Sequence, residues 1–136
     1  KQGQYGEALE LHKQSLAIML KVHGPDHPHV AMSYNNMAIV HFKQGQYGEA
    51  LELFKQSLAI RLKAHGPDHP DVAESYIGMA GVRYAQGQYG EALKLYKQSL
   101  AILLKVHGPD HPEVATLKES IRLTVIRIGI EPVPKK

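Results

Sequence analysis

Residues 45–73 read GQYGEALELFKQSLAIRLKAHGPDHPDVA, and nearly the same string stands at 3–31 and at 87–115. Both intervals are 42 residues. A fixed period of roughly 20 to 50 residues marks a chain that stacks one supersecondary unit on copies of itself, each burying what its neighbour exposes. Such a chain offers a surface and not a reaction pocket.

Two helices can be traced within the unit. Ahead of Gly45, the residues Tyr34, Met37, Ala38, His41 and Phe42 fall at i, i+3, i+4, i+7 and i+8, the spacing of one helical face. Tyr76, Met79, Ala80, Arg83 and Tyr84 repeat it one period later. This predicts a first helix, helix A, over 30–44 and its counterpart, stopped by Gly45 and Gly87, which tolerate the left-handed backbone of a helix end. A second helix, helix B, follows over 47–65, with Ala50, Phe54, Ser57 and Leu58 on one side and Leu53 and Ile60 on another. A helix apolar on two sides is sandwiched between neighbours. At its exit Gly66 suits the position past a helix end, Pro67 blocks continuation, Asp68 or His69 can cap the next helix, and Pro70 fits a first turn. Asp110 and Glu113 have the spacing of a capping box. The expected fold is all-α, about six helices in antiparallel pairs.

These residues resemble the tetratricopeptide repeat. The aromatic, Met-Ala, aromatic series of helix A and the Gln-Gly-x-Tyr-x-Glu-Ala opening of helix B carry the likeness. That repeat is usually about 34 residues long, so the extra length goes into helix B and the HGPDHP connector. Lengthening of that kind, with Tyr34-Asn35-Asn36-Met37-Ala38 and Gly-Pro-Asp-His-Pro, is similar to the 42-residue repeats of kinesin light chains and related proteins. The resemblance implies a right-handed α-solenoid forming one array over residues 1–136. Its parts are a leading helix B with connector (1–29), two repeats (30–71 and 72–113), a divergent last helix (114–130) and a tail (131–136). It also implies a concave face lined by helix A, onto which Met32, Asn35, Asn36, Ile39, Phe42 and Lys43 project, followed by Glu74, Ile77, Gly81 and Tyr84. In the family that face receives peptides, and asparagines there bond the guest's main chain. Here Asn35-Asn36 becomes Ile77-Gly78 in the next repeat.

Composition narrows the function classes. With 43% hydrophobic and 21% charged residues the chain reads as globular. Its net charge of +3 is mild, and Lys and Arg are interleaved with Glu and Asp, the pattern of solvated helix faces and not of a nucleic-acid footprint. There is no cysteine, hence no disulfide or thiolate metal site. Apolar runs fall far below the ~20 residues of a membrane span, and no secretory signal is visible. The sequence opens at Lys1, mid-repeat and without an initiator Met, and is expected to be a cytoplasmic piece of something longer.

The nine histidines concentrate in the connector, but His23 and His27 recur as His65 and His69 and as His107 and His111, as capping and packing residues copied with the repeat would. The Gly-x-x-Gly of Gly45 to Gly48 lacks the Lys-Ser/Thr of a phosphate-binding loop. Ser15, Ser57 and Ser99 are one repeated position, read as small residues at a packing contact. No catalytic constellation, metal or cofactor is implied. The expected function is a noncatalytic interaction module that binds a protein or peptide ligand. The alternative is a structural scaffold that self-associates through its terminal helices. In the last helix Leu117, Ile121, Val125 and Ile128 are expected to pack inward, leaving Leu123, Ile126 and Ile130 as an apolar strip for a second copy or for a following segment of a longer chain.

Overall fold

The computed structural model describes residues 2–130, the side chains of Gln2 and Ile130 apart, as six helices: α1 (Gln2–His23), α2 (Pro28–Lys43), α3 (Tyr47–His65), α4 (Pro70–Ala85), α5 (Tyr89–His107) and α6 (Pro112–Ile130). No strand occurs among the described residues. Each helix packs on the next in sequence, and α2 also touches α4. The helices A (α2, α4, α6) and the helices B (α1, α3, α5) therefore alternate in a TPR-like solenoid. The expected tail at 131–136 and the Ile130 side chain lie outside the described residues.

Local chemistry places the turns. Gly45 and Gly87 have φ of 79° and 78°, and around Gly45 the N–H of Gln46 donates to the His41 carbonyl at 2.9 Å while that of Gly45 donates to Phe42 at 2.9 Å. This paired closure satisfies two carbonyls that a helix end otherwise leaves bare. At the other turn Gly66, with φ of 81°, donates to the Leu62 carbonyl at 2.9 Å. Helix A then begins two residues earlier than its apolar period suggests, because Pro28 and Pro70 enter its first turn. The cap is histidine: Nδ1 of His27, His69 and His111 accepts from the N–H of His29, Asp71 and Glu113 at 3.1, 3.0 and 3.1 Å. His111 thus does the work expected of an Asp110–Glu113 capping box. Partial desolvation, and then the imidazoles of His23 and His29, hold the His27 pKa below the usual histidine value, which favours the neutral ring a cap acceptor needs.

The core is continuous along the stack. Val30 and Ala31 of α2 are sealed between Ile60 of α3 and Leu16, Met19 and Leu20 of α1. One period later Val72 and Ala73 of α4 meet Leu58 and Leu62 of α3 on one side and Ile102 and Leu103 of α5 on the other. Helix B is thus covered on both sides, as its two apolar stripes predict. Burying each such aliphatic side chain contributes about 1.5–3 kcal/mol. Ser57 and Ser99 are fully buried, and Ser99 Oγ donates to the Leu95 and Ala73 carbonyls at 3.0 and 3.3 Å.

Two departures from the repeat also join α3 to α4. Arg61 stands where the other copies have Met19 and Leu103, and it is buried. Its Nη1 donates to the Glu74 carboxylate at 2.8 Å, the Asp71 carbonyl at 3.0 Å and Ser75 Oγ at 3.2 Å. Gly78 takes the place of Asn36 and Ser120, and a Cβ there would run into the buried ring of Phe54. Gly81, by contrast, has open space around it.

Four substitutions have expected outcomes for stability. In denaturant unfolding, Gly81→Ala raises stability by about 1 kcal/mol through helix propensity, whereas Gly78→Ala lowers it by about 1–3 kcal/mol through overpacking against Phe54. Arg61→Leu, which copies Leu103, is near neutral or stabilising, while Glu74→Ala costs about 1 kcal/mol, since Glu74 is mostly exposed and Arg61 keeps its bonds to the Asp71 carbonyl and Ser75.

Candidate functional site

Which face is the inner one follows from packing. Of helices two apart in sequence, α2 and α4 make the most extensive direct contact, so the helices A lie on the shorter, inner side of the stack. On α2 the expected inner residues form an exposed stripe of Met32, Asn36, Ile39 and Lys43. Phe42 is half-buried, its ring 5.5 Å from that of Tyr47. Asn35 is a correction: it is 5% exposed, and its Oδ1 is buried without a hydrogen-bond partner. An amide so placed does not stand out in a groove. Glu74 is exposed but held by Arg61.

Besides a shallow, open cleft of about 570 Å³ between α2 and α3, a run of concavities lies between α4 and α6. A cleft of about 230 Å³ is lined by Ile77 of α4 with Pro112, Glu113, Thr116, Leu117 and Ser120 of α6. A second, of about 260 Å³, shares Ile77 and Glu113 and adds Pro70, Asp71, Ala73, Glu74 and Leu103. A third, of about 240 Å³, shares Ser120 and adds Tyr84, Tyr96, Leu123 and Thr124. The three clefts adjoin through these shared residues, with acidic side chains in the second and aromatic ones in the third. Desolvation, then Tyr84, raises the Tyr96 pKa, which keeps that hydroxyl neutral. Tyr84 packs edge-on against Tyr89 at 4.9 Å between centroids, and Tyr89 accepts from Arg127 at 2.8 Å and lies 5.1 Å from its guanidinium.

Ile77, Glu74 and Tyr84 are therefore brought together, while Gly81 is not among the lining residues and the α2 residues stand apart from this groove. The α6 half of the wall was missed in the sequence, although register shows it: Thr116, Ser120 and Leu123 are one period from Glu74, Gly78 and Gly81 and two from Met32, Asn36 and Ile39.

Leu123 thus lines the groove, although it is 45% exposed, and Ile126 is exposed beyond it. Val125 and Ile128 do not pack inward either. Thr124 is buried in their place, its hydroxyl bonded to the Ser120 carbonyl at 2.7 Å. On the flank where helix A usually meets its own helix B, α6 carries Lys118 and Arg122 for Tyr76 and Ala80. Arg122 pairs with Glu119, a bond that lowers the glutamate's pKa.

No helix among the described residues is long and apolar enough to cross a membrane. No curated protein matches the chain. Among solved structures, it is similar to the nearly identical TPR-like repeats assigned to a kinesin light chain of Podosopora anserina, at 32% identity and a TM-score of 0.82, over 94% of this chain and 61% of that one. A single-substitution form of those repeats gives 32% identity and a TM-score of 0.81 over 94% and 60%. BtubC (BKLC) from P. vanneervenii shares the fold, with a TM-score of 0.85 at 16% identity over 98% and 62%. The chain spans about three-fifths of these structures. A tetratricopeptide repeat profile matches residues 1–63, 31–105 and 71–120, and with the helix pairs described above this places the chain in the tetratricopeptide repeat family, in its kinesin light chain-like form.

Proposed function

We propose that the chain is a noncatalytic interaction module that receives a partner peptide in the groove between α4 and α6. The observation that carries this reading is the run of three adjoining clefts joined through Ile77 and Ser120. Apolar walls with a few polar groups suit a guest held by side-chain anchors. The middle cleft suits an aliphatic side chain. Tyr84 and Tyr96 suit a flat or apolar one, and the end near Asp71, Glu74 and Glu113 suits a basic residue. Asn36 and the exposed α2 stripe lie apart from these clefts and offer a second stretch of surface for a longer guest, as the kinesin light chain likeness suggests. A typically noncatalytic family agrees with this role.

Self-association through the terminal helices has its own support in exposed Ile126 and in Leu11, Ile18 and Val22 of α1. Lys118 and Arg122 weigh against it, because a helix B seated on α6 as α3 sits on α2 would bury both charges.

A displayed peptide library selected on the chain, with affinities then read by fluorescence anisotropy, tests both readings. Ile77→Asp and Leu123→Asp are expected to weaken a selected peptide at least tenfold, about 1.4 kcal/mol, with the helical circular dichroism kept. Unchanged affinity in both variants would remove the groove reading. Light scattering across a concentration series is expected to give the monomer mass, and a mass that climbs and falls back in Ile126→Lys would restore the scaffold.

A further inference from the structure

At three junctions a histidine in the last turn of a helix B stacks on the capping histidine of the next helix A. The ring centroids are 4.1 Å apart for His23–His27, 3.9 Å for His65–His69 and 4.1 Å for His107–His111. A third side chain completes each group: His29, Asp71 or Glu113. In every group the donor atoms, one from each residue, lie within 4.8 Å of one another. His65 Nε2 and His69 Nδ1 stand 3.6 and 3.9 Å from the Asp71 carboxylate, and His107 Nε2 and His111 Nδ1 stand 3.7 and 3.9 Å from that of Glu113. Ligands around a tetrahedral zinc ion, each about 2.0–2.2 Å from it, are only slightly closer together than this.

Capping accounts for part of the group and not for the rest. One nitrogen of His27, His69 or His111 suffices for a cap, and the stacked histidine takes no part in it. An acid in the first turn is favoured by the helix dipole, which explains Asp71 and Glu113. It does not explain His29, since a basic side chain gains nothing there. What His, Asp and Glu share at this position is the ability to ligate a borderline metal ion.

We propose that each of the three junctions binds one zinc-class divalent ion, held by both histidines and the third side chain, which ties the last turn of a helix B to the first turn of the next helix A. The junction at His23, His27 and His29, with three imidazoles, is the tightest of the three. The lone pair on Nδ1 of His69 now accepts the Asp71 N–H and cannot serve a metal as well, so binding exchanges the cap for a metal bond. The stacked rings must also swing to aim their lone pairs at one point. Most of these side chains lie near the surface, which leaves them room to do so.

The test is a Co²⁺ titration of the whole chain, read by visible absorption, with Zn²⁺ calorimetry beside it. Three ions per chain are expected. The triple variant His23→Phe, His65→Phe, His107→Phe keeps a ring on each capping histidine and leaves the caps alone, and it is expected to lose at least tenfold in affinity at every junction. The triple variant His27→Asn, His69→Asn, His111→Asn keeps a side chain that can cap but loses a nitrogen ligand, and the same loss is expected. His29→Asp keeps three ions while moving the first site towards the weaker two. Melting in chelator checks that each variant still folds. Absence of saturable binding at millimolar Co²⁺, or binding unchanged in both triple variants, overturns the proposal.

Discussion

The Val-Ala pair near the start of helix A sets the spacing of the array. Val30-Ala31 and Val72-Ala73 have no exposed surface and are pressed from both sides by helices B. A small residue beside a β-branched one lets two helices approach at once, and interiors packed to crystal density do not forgive a change of volume there. Each helix A thereby becomes a fixed spacer between two helices B. The third copy shows what the contact requires: Val114 stays buried against α5, but Ala115, with no further helix B among the described residues, is exposed.

From that constraint the width of the inner wall follows. With the outer helices held apart at a set spacing, the gap between neighbouring helices A depends on which side chains face it. Gly78 on α4 leaves its place to the buried ring of Phe54, so α4 seats closely on α3. Ser120 and Leu123 on α6 line the clefts beside it. One backbone repeat thus brings α2 and α4 into contact and leaves clefts between α4 and α6.

How much of this was legible depends on how local its cause is. The bounds of α3 were read correctly because Gly45, Gly66 and Pro67 act within a few residues. The start of helix A was legible in the connector, where the cap position and Pro70 in the first turn mark it, and not in the apolar periodicity, which sets in two residues later. The choice of His69 over Asp68 as cap was open in the sequence, and the capping box at Asp110 was misread, because competition between neighbouring caps is decided by backbone geometry. Asn35 and Ile77 occupy one register position, and their different exposure depends on residues of the facing helix about 42 positions away. The α6 register failed for a related reason. A helix covered on one side buries a narrow stripe, and Thr124, able to bond its own backbone, fits that stripe where Val125 does not.

The same reasoning separates the two ends of the stack. Ile60 and Ile102 are each 8% exposed against the helix A that precedes them, but Ile18, at the same register position in α1, is 64% exposed. Leu11 and Val22 extend that face. At the other end, the residues that would meet a following helix B are Lys118 and Arg122, where the earlier helices A have tyrosine and alanine. Covering that flank would take Arg122 and its Glu119 partner out of water, at a desolvation cost. The exposed apolar residues of α6, Leu123, Val125, Ile126 and Ile128, lie elsewhere on the helix, while the exposed face of α1 is apolar. The outermost described helices therefore present unlike faces, apolar on α1 and charged on this flank of α6, and a neighbouring helix seated on either would meet a different chemistry.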